Sequence, residues 1–148
     1  SGVEVCFANP GTSELHLVAA LDRVPGMRCV LCLFEGGATG AADGYARMTG
    51  KPAAVLLHLG PGMSNGWANL HNARRAHTPI VNVVGEHATY HLEYDAPLTS
   101  DIQAVAGGVS AYVETVTLAA DLGGAGARAV AAASSGMGQI STVIVHAD

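Results

Sequence analysis

Positive charge is scarce in this chain of 148 residues: seven Lys and Arg stand against twelve Asp and Glu, for a net charge of −5 with the histidines neutral. The basic residues are thinly scattered and form no stripe that could neutralise a phosphate backbone, which excludes nucleic acid as a partner class. Long apolar runs are missing as well. Although 49% of the residues are hydrophobic, Gly, Pro or a charge interrupts every run well short of the roughly 18 consecutive residues a spanning helix needs. Cysteine is limited to Cys6, Cys29 and Cys32. An odd, sparse set in an apolar chain implies reduced thiols and a cytoplasmic setting, not a disulfide framework.

Cys29 and Cys32 do form a C-x-x-C. They lie, however, in the β-branched, apolar run Arg28-Cys29-Val30-Leu31-Cys32-Leu33-Phe34. In a strand, residues three apart point to opposite faces, so the pair cannot chelate a metal, and two core cysteines are expected. With disorder excluded by the apolar content, a chain of this length folds as one domain burying roughly 68–70% of its unfolded surface.

Apolar runs alternate with helical patterns along the whole chain. Val3 to Ala8 is strand-like from the outset, so the chain is expected to begin within a domain. Asn9-Pro10-Gly11 turns into a helix capped by Thr12 or Ser13 and carrying Leu15, Val18, Ala19 and Leu21 on one side. Strands are predicted at Cys29 to Phe34, Ala53 to Leu59, Ile80 to Val84, Ala111 to Val116 and Thr142 to His146. Helices are predicted from Ala38 to Met48, from the Gly60-Pro61-Gly62 turn to about His77, and from Leu118 to Ser134. Glu86 to Asp101 has no periodicity and is expected to be a long loop. Uniformly apolar strands alternating with helices predict an α/β fold: a three-layer, doubly wound, mainly parallel six-stranded sheet with helices on both faces.

Ligands of such sheets sit beyond the carboxyl ends of the strands. Four segments converge there: Asn9-Pro10-Gly11, Phe34-Glu35-Gly36, His58 with Gly60-Pro61-Gly62, and Gly85-Glu86-His87. Glu35, followed by Gly36-Gly37-Ala38, is a carboxylate that nothing bulky crowds. It either caps the following helix or grips a ligand. The helix after it presents almost no side-chain bulk, so something packs closely against it. Gly60-x-Gly62, with Glu86 after the next strand, partly matches a dinucleotide fingerprint, but the third glycine position is Asn65. His58 points away from Leu57 and Leu59 and is either a structural histidine or a proton shuttle. His87-x-x-x-His91 lacks helical phasing and a third ligand, so surface loop histidines are expected and no metal site is assigned.

Glu35-x-x-Ala38, Ala42-Asp43-Gly44-Tyr45-Ala46-Arg47-x-x-Gly50-Lys51, Gly60-Pro61-Gly62-x-x-Asn65 and Pro79-Ile80-Val81 ending at Gly85 together resemble the pyrimidine-binding domain of thiamine diphosphate enzymes. The subgroup is that of acetolactate synthase, the benzoylformate and pyruvate decarboxylases and benzaldehyde lyase. The resemblance runs from Phe7-x-x-Pro10-Gly11 to Ala147-Asp148. It implies an activity on 2-keto acids or aldehydes, with Glu35 hydrogen-bonding the cofactor's aminopyrimidine ring and promoting its imino tautomer. Pro10, Gly11, Gly60, Pro61, Gly62 and Asn65 would line the cofactor. His58 is similar to a histidine that benzoylformate decarboxylase carries two residues before the glycine-rich turn, assigned to proton transfer. The small-residue helix would be surface at a subunit contact. The family's diphosphate and Mg2+ segment, Gly-Asp-Gly followed by Asn-Asn, has no counterpart here. The resemblance therefore implies one domain of a longer polypeptide, a half-site completed by a partner subunit in a homodimer or homotetramer, and no activity in isolation. The FAD of acetolactate synthases sits largely on another domain and is not decided by these residues. Two other readings remain open at this stage: a catalytically silent interaction domain of the same fold, and a nucleotide-binding oxidoreductase domain using Gly60-Pro61-Gly62.

Overall fold

Every strand of the sheet is parallel to its neighbours, so each is returned to the same edge by a crossover on one face or the other. The computed structural model describes residues 2–148. Strands β1 (Val5–Asn9), β2 (Arg28–Leu31), β3 (Ala53–His58), β4 (Ile80–Glu86), β5 (Tyr112–Val116) and β6 (Ile140–His146) form one six-stranded sheet in the order β2-β1-β3-β4-β6-β5. The helices are α1 (Leu15–Arg23), α2 (Glu35–Thr49), α3 (Leu59–Arg75), α4 (Ile102–Gly107) and α5 (Leu122–Ala133). The predicted three-layer α/β architecture is what the chain adopts.

The uniform hydrophobicity of the central strands follows from burial on both faces. On one face, Val55, Leu57, Ile80, Val84 and Ile144 pack against Ala38 and Ala42 of α2, Met63, Leu70 and Ala73 of α3, and Ile102 and Ala106 of α4. On the other, Cys6, Ala8, Ala54 and Leu56 lie under Leu17, Val18 and Leu21 of α1, while Val81, Val143 and Val145 lie under Ala125, Ala129 and Ala133 of α5.

The small residues of α2 allow a close seam with α3. Thr39 Oγ1 lies 3.2 Å from the Gly66 carbonyl, and Asn69 Nδ2 donates to the Gly36 carbonyl at 2.6 Å. A Cβ on Gly66 would come within 2.7 Å of the Thr39 methyl carbon. Much of the bulk-free surface expected to meet another subunit is thus taken up inside this chain by α3. Gly37 and Gly44, around which no heavy atom would meet an added Cβ within 4 Å, remain on the outer side of the helix.

Several expectations need correction. Cys29 and Cys32 are not core cysteines: β2 is an edge strand, Cys29 is exposed and Cys32 half-buried. Only Cys6 is buried, and burial pushes its thiol up to about 12. Leu15, placed with the buried side of α1, is 60% exposed: it is the first residue of that helix, directly after the 3-10 turn Thr12–Glu14. Neither Thr12 nor Ser13 is the expected cap: the N-cap positions are Gly11 for the turn and Glu14 for α1, and the turn's capping contact comes from the Glu14 side chain. Strand β2 stops at Leu31, and α2 begins at Glu35 instead of Ala38. Gly60-Pro61-Gly62 is not a turn but lies in the first turn of α3, where Pro61 takes the early helical position that tolerates a missing N–H. The long loop is partly ordered as a 3-10 segment, Thr89–Tyr94. The helix α4 was not foreseen. Its signal is Asp101, whose side chain accepts from Ala104 N at 2.9 Å as an N-cap before Ile102, Val105 and Ala106. No helix among the described residues is long and apolar enough to cross a membrane.

Candidate functional site

The crossover from β1 to β2 runs through α1 on one face of the sheet, and the crossover from β2 to β3 through α2 on the other. The carboxyl ends of β1 and β3 therefore border a topological switch point, where an open α/β sheet leaves a crevice. Register places Asn9 beside Leu57 and His58 beside Gly85 at this edge. Asn9 Nδ2 donates to the Cys32 carbonyl at 2.8 Å, tying the end of β1 to the segment that leads into Glu35.

A glutamate that sequence reasoning passed over organises one side of the crevice. Glu14 is completely buried, and its Oε2 accepts both the Gly11 backbone N–H at 2.7 Å and the Nδ1–H of His58 at 2.8 Å. The turn that carries Glu14 follows β1 directly, and its spacing from Gly11 is that of a capping box, the one signal that could have singled it out. The pair requires bare backbone on two sides. A Cβ on Gly11 would lie 2.4 Å from His58 Nδ1, and one on Gly85 would lie 1.6 Å from Glu14 Oε1. Because a carboxylate only accepts, the ring's Nδ1 must carry the hydrogen, which leaves Nε2 as the free nitrogen. The imidazole is 25% exposed. Immediately after it, Leu59 has φ of 53°, a left-handed conformation uncommon for a side chain of this kind, which turns the chain sharply from β3 into α3.

Glu35 occupies the other side. It opens α2, where the helix N-terminus favours its charge, and it is half-buried. Its Oε2 accepts from Asn65 Nδ2 at 3.0 Å. Its Oε1 lies beside Gly62, whose added Cβ would sit 3.5 Å from that oxygen and 3.6 Å from the Leu57 carbonyl carbon. Both readings of Glu35 therefore have a place: it sits at a helix N-terminus, and it keeps an oxygen free of protein partners at the β3–α3 corner. Gly62 and Asn65 thus gather around Glu35, and Gly11 and His58 around Glu14.

The remaining candidates divide differently. Gly60 faces Ser100, since a Cβ there would lie 1.7 Å from the serine Oγ, so its glycine serves the packing of the loop before α4. Pro61 is exposed and Pro10 half-buried. Glu86, weighed as a ribose-binding acid, is buried and accepts the His87 N–H at 2.7 Å. His87 and His91 are half-buried, not surface side chains, and their rings pack 5.2 Å apart. Among the described residues no group of three or more His, Cys, Asp or Glu side chains is arranged to hold a metal ion.

Comparison with known proteins agrees with this geometry. Residues 1–107 match the family model of the thiamine pyrophosphate enzyme, N-terminal TPP binding domain. A protein of Mycobacterium tuberculosis (strain ATCC 25618 / H37Rv), named for the acetolactate synthase large subunit and called IlvX, is 68% identical over 147 residues, which is 99% of this chain and 28% of that protein. Benzoylformate decarboxylase of Pseudomonas aeruginosa is 36% identical over 99 residues, 67% of this chain and 18% of that one. The structure of a thiamine diphosphate-dependent 4-hydroxybenzoylformate decarboxylase from Rhodococcus jostii RHA1 superposes with a TM-score of 0.91 at 27% identity, covering 99% of this chain and 28% of that one. The chain thus spans less than a third of the length of these relatives. With the family model covering most of its residues, and with Glu35 and Asn65 paired at the crevice, this chain belongs to the thiamine pyrophosphate enzyme family through that family's N-terminal TPP binding domain.

Proposed function

We propose that this domain is the pyrimidine-binding half of an enzyme acting on 2-keto acids or aldehydes, of decarboxylase, carboligase or acetolactate synthase type. It would form part of a longer cytoplasmic polypeptide. The other half of the site, with the diphosphate and Mg2+, would come from a separate domain of a partner subunit in a homodimer or homotetramer.

The observation that carries the reading is the asymmetric state of Glu35. Asn65 holds Oε2 at 3.0 Å, and Oε1 lies beside Gly62 with no hydrogen-bond partner among the described residues. A carboxylate fixed by one oxygen and offering the other fits a ring nitrogen of an aminopyrimidine, which presents a hydrogen-bonding edge of the same size. When bound, thiamine diphosphate supplies the electron sink at the substrate's carbonyl carbon. The chain's own residues do the rest. Glu35 Oε1 holds a proton at the pyrimidine ring nitrogen, Asn65 keeps the carboxylate pointed, and Gly11 leaves room for the His58 ring. His58, across the crevice, exchanges a proton through Nε2 with the substrate-derived group, a general acid–base role that an imidazole can fill.

The alternative of a nucleotide-binding oxidoreductase loses its geometric basis. Gly60-Pro61-Gly62 lies inside α3 and Glu86 is engaged by its own neighbour's amide. The silent interaction domain remains a testable contrast. Replacing Glu35 by Gln in the longer polypeptide should abolish turnover of benzoylformate and pyruvate while calorimetry still registers thiamine diphosphate with Mg2+. Retained turnover would sink the assignment, and cofactor binding with no turnover in the unmutated polypeptide would favour the silent domain.

A further inference from the structure

We propose that Glu14 is a positioning residue acting through His58, which it locks with Nδ1 protonated so that Nε2 is the only ring nitrogen able to take or give a proton in the crevice. The inference rests on the reading of this crevice as the thiamine site, and its test separates the two.

Three observations converge on it. First, Glu14 is fully buried yet spends Oε2 on two donors, the Gly11 amide at 2.7 Å and His58 Nδ1 at 2.8 Å, while Oε1 has no hydrogen-bond partner among the described residues. A residue needed only to cap the short turn would satisfy the Gly11 amide and could keep its second oxygen in solvent, the lower-energy arrangement for a carboxylate. Second, the fold makes room for the pair at positions remote in sequence. The floor under Oε1 is bare Gly85 on β4, and the ring of His58 slides over bare Gly11, so either Cβ would collide with the dyad. Third, only one edge of the imidazole is committed: the ring remains a quarter exposed, and among the described residues no protein group is hydrogen-bonded to Nε2. A histidine whose one nitrogen is tied to a buried carboxylate and whose ring stays partly exposed at the strand ends is oriented for proton exchange, since the bond at one nitrogen sets the tautomer at the other.

The proton balance is simple. When Nε2 accepts a proton, the ring becomes an imidazolium that keeps its Nδ1–H on Glu14, and the carboxylate compensates the charge without itself being protonated. Return of the Nε2 proton to the substrate restores the starting state.

The test has two arms. In the 148-residue chain, 15N-resolved NMR of the histidine rings should show His58 protonated at Nδ1. Glu14→Gln should keep that tautomer, because an amide oxygen can replace Oε2, whereas Glu14→Ala should release it. In the longer polypeptide, His58→Ala should lower kcat for benzoylformate or pyruvate by about 10²–10⁴-fold. Glu14→Ala should lower kcat by a similar factor with KM little changed, and Glu14→Gln by about ten- to a hundredfold, as for other groups that orient a functional histidine. Added to His58→Ala, the Glu14→Ala change should cost nothing further, because residues acting as a unit are not additive. An unchanged tautomer in Glu14→Ala, or an equal loss of kcat from Glu14→Ala with and without His58, would overturn the proposal. If Glu14→Ala does not fold, a Glu14→Gln enzyme with undiminished kcat overturns it instead. Hydrogen–deuterium exchange at the thiazolium carbon of bound cofactor, unaffected by the Glu14 and His58 changes and lost with Glu35→Gln, isolates this result from the cofactor reading. Exchange that ignores Glu35 would indict that reading alone.

Discussion

Two glutamates flank the crevice and are treated in opposite ways. Glu14 is sealed beneath the strand ends, with both of its hydrogen bonds made to the protein. Glu35 stands half-open at the head of α2, steadied by one amide and otherwise free. Burying a carboxylate is costly unless donors surround it, so the interior one must be explained by what it holds. The half-open one must be explained by what it meets. The difference ties Glu14 to the protein's own architecture, leaves Glu35 with an oxygen unused by the chain, and makes their mutational signatures separable.

The largest effect should come from Glu35. Its change to Gln preserves shape and helix, so thermal unfolding should move little, while turnover in the longer polypeptide falls by at least about 10²–10⁴-fold, the range for loss of a positioned proton-transfer group. Glu14→Ala reverses the emphasis in stability. It leaves the Gly11 amide and His58 Nδ1 without their shared acceptor, and urea unfolding of the chain should show a loss of about 1–3 kcal/mol. Equal stability losses in both variants would erase the distinction between the two carboxylates.

Gly85 offers a third, steric way to strain the comparison. A Cβ at this position falls 1.6 Å from Glu14 Oε1, so Gly85→Ala must displace the buried carboxylate while leaving Glu35 untouched. Overpacking of this kind costs about 1–3 kcal/mol. The expected result, read by denaturation and by the His58 ring signals, is a destabilised chain with a disturbed histidine and normal cofactor affinity in the longer polypeptide.

The architecture was legible in the sequence because parallel strands buried on both faces write themselves as unbroken apolar runs, as in Ala53 to Leu57 and Ile80 to Val84. Glu35 stood out as a charge that ends an apolar run before Gly36-Gly37, with a helix cap and a ligand contact both open, and the structure puts it at the head of α2. Glu14 did not. It sits in a polar stretch, Thr12-Ser13-Glu14, where a surface residue is the ordinary expectation, and its burial depends on Gly85 some seventy positions on in the chain, a tertiary match no local pattern records. The cysteines misled for the converse reason. The apolar run around Cys29 and Cys32 has the composition of a core strand, but β2 lies at the edge of the sheet, and nothing local distinguishes an edge from a centre.

The smallest predicted effect tests how far Glu35's freedom depends on its one protein partner. Asn65 is itself exposed and makes a single hydrogen bond to Glu35, so its removal leaves no buried group unsatisfied. Asn65→Ala should therefore leave unfolding unchanged, and the carboxylate keeps its charge and its place on α2. What is lost is direction. With Oε2 released, the side chain samples further rotamers, and only a fraction of them offers Oε1 beside Gly62. An exposed hydrogen bond of this kind contributes about 0.5–1.5 kcal/mol, which corresponds to a roughly two- to tenfold weakening of thiamine diphosphate binding by calorimetry. Asn65→Asp should be worse than Asn65→Ala at neutral pH, because a second carboxylate against Oε2 repels where the amide attracted. If the two variants bind equally well, Asn65 is not what points Glu35 into the crevice. The open carboxylate would then owe its orientation to the helix terminus alone.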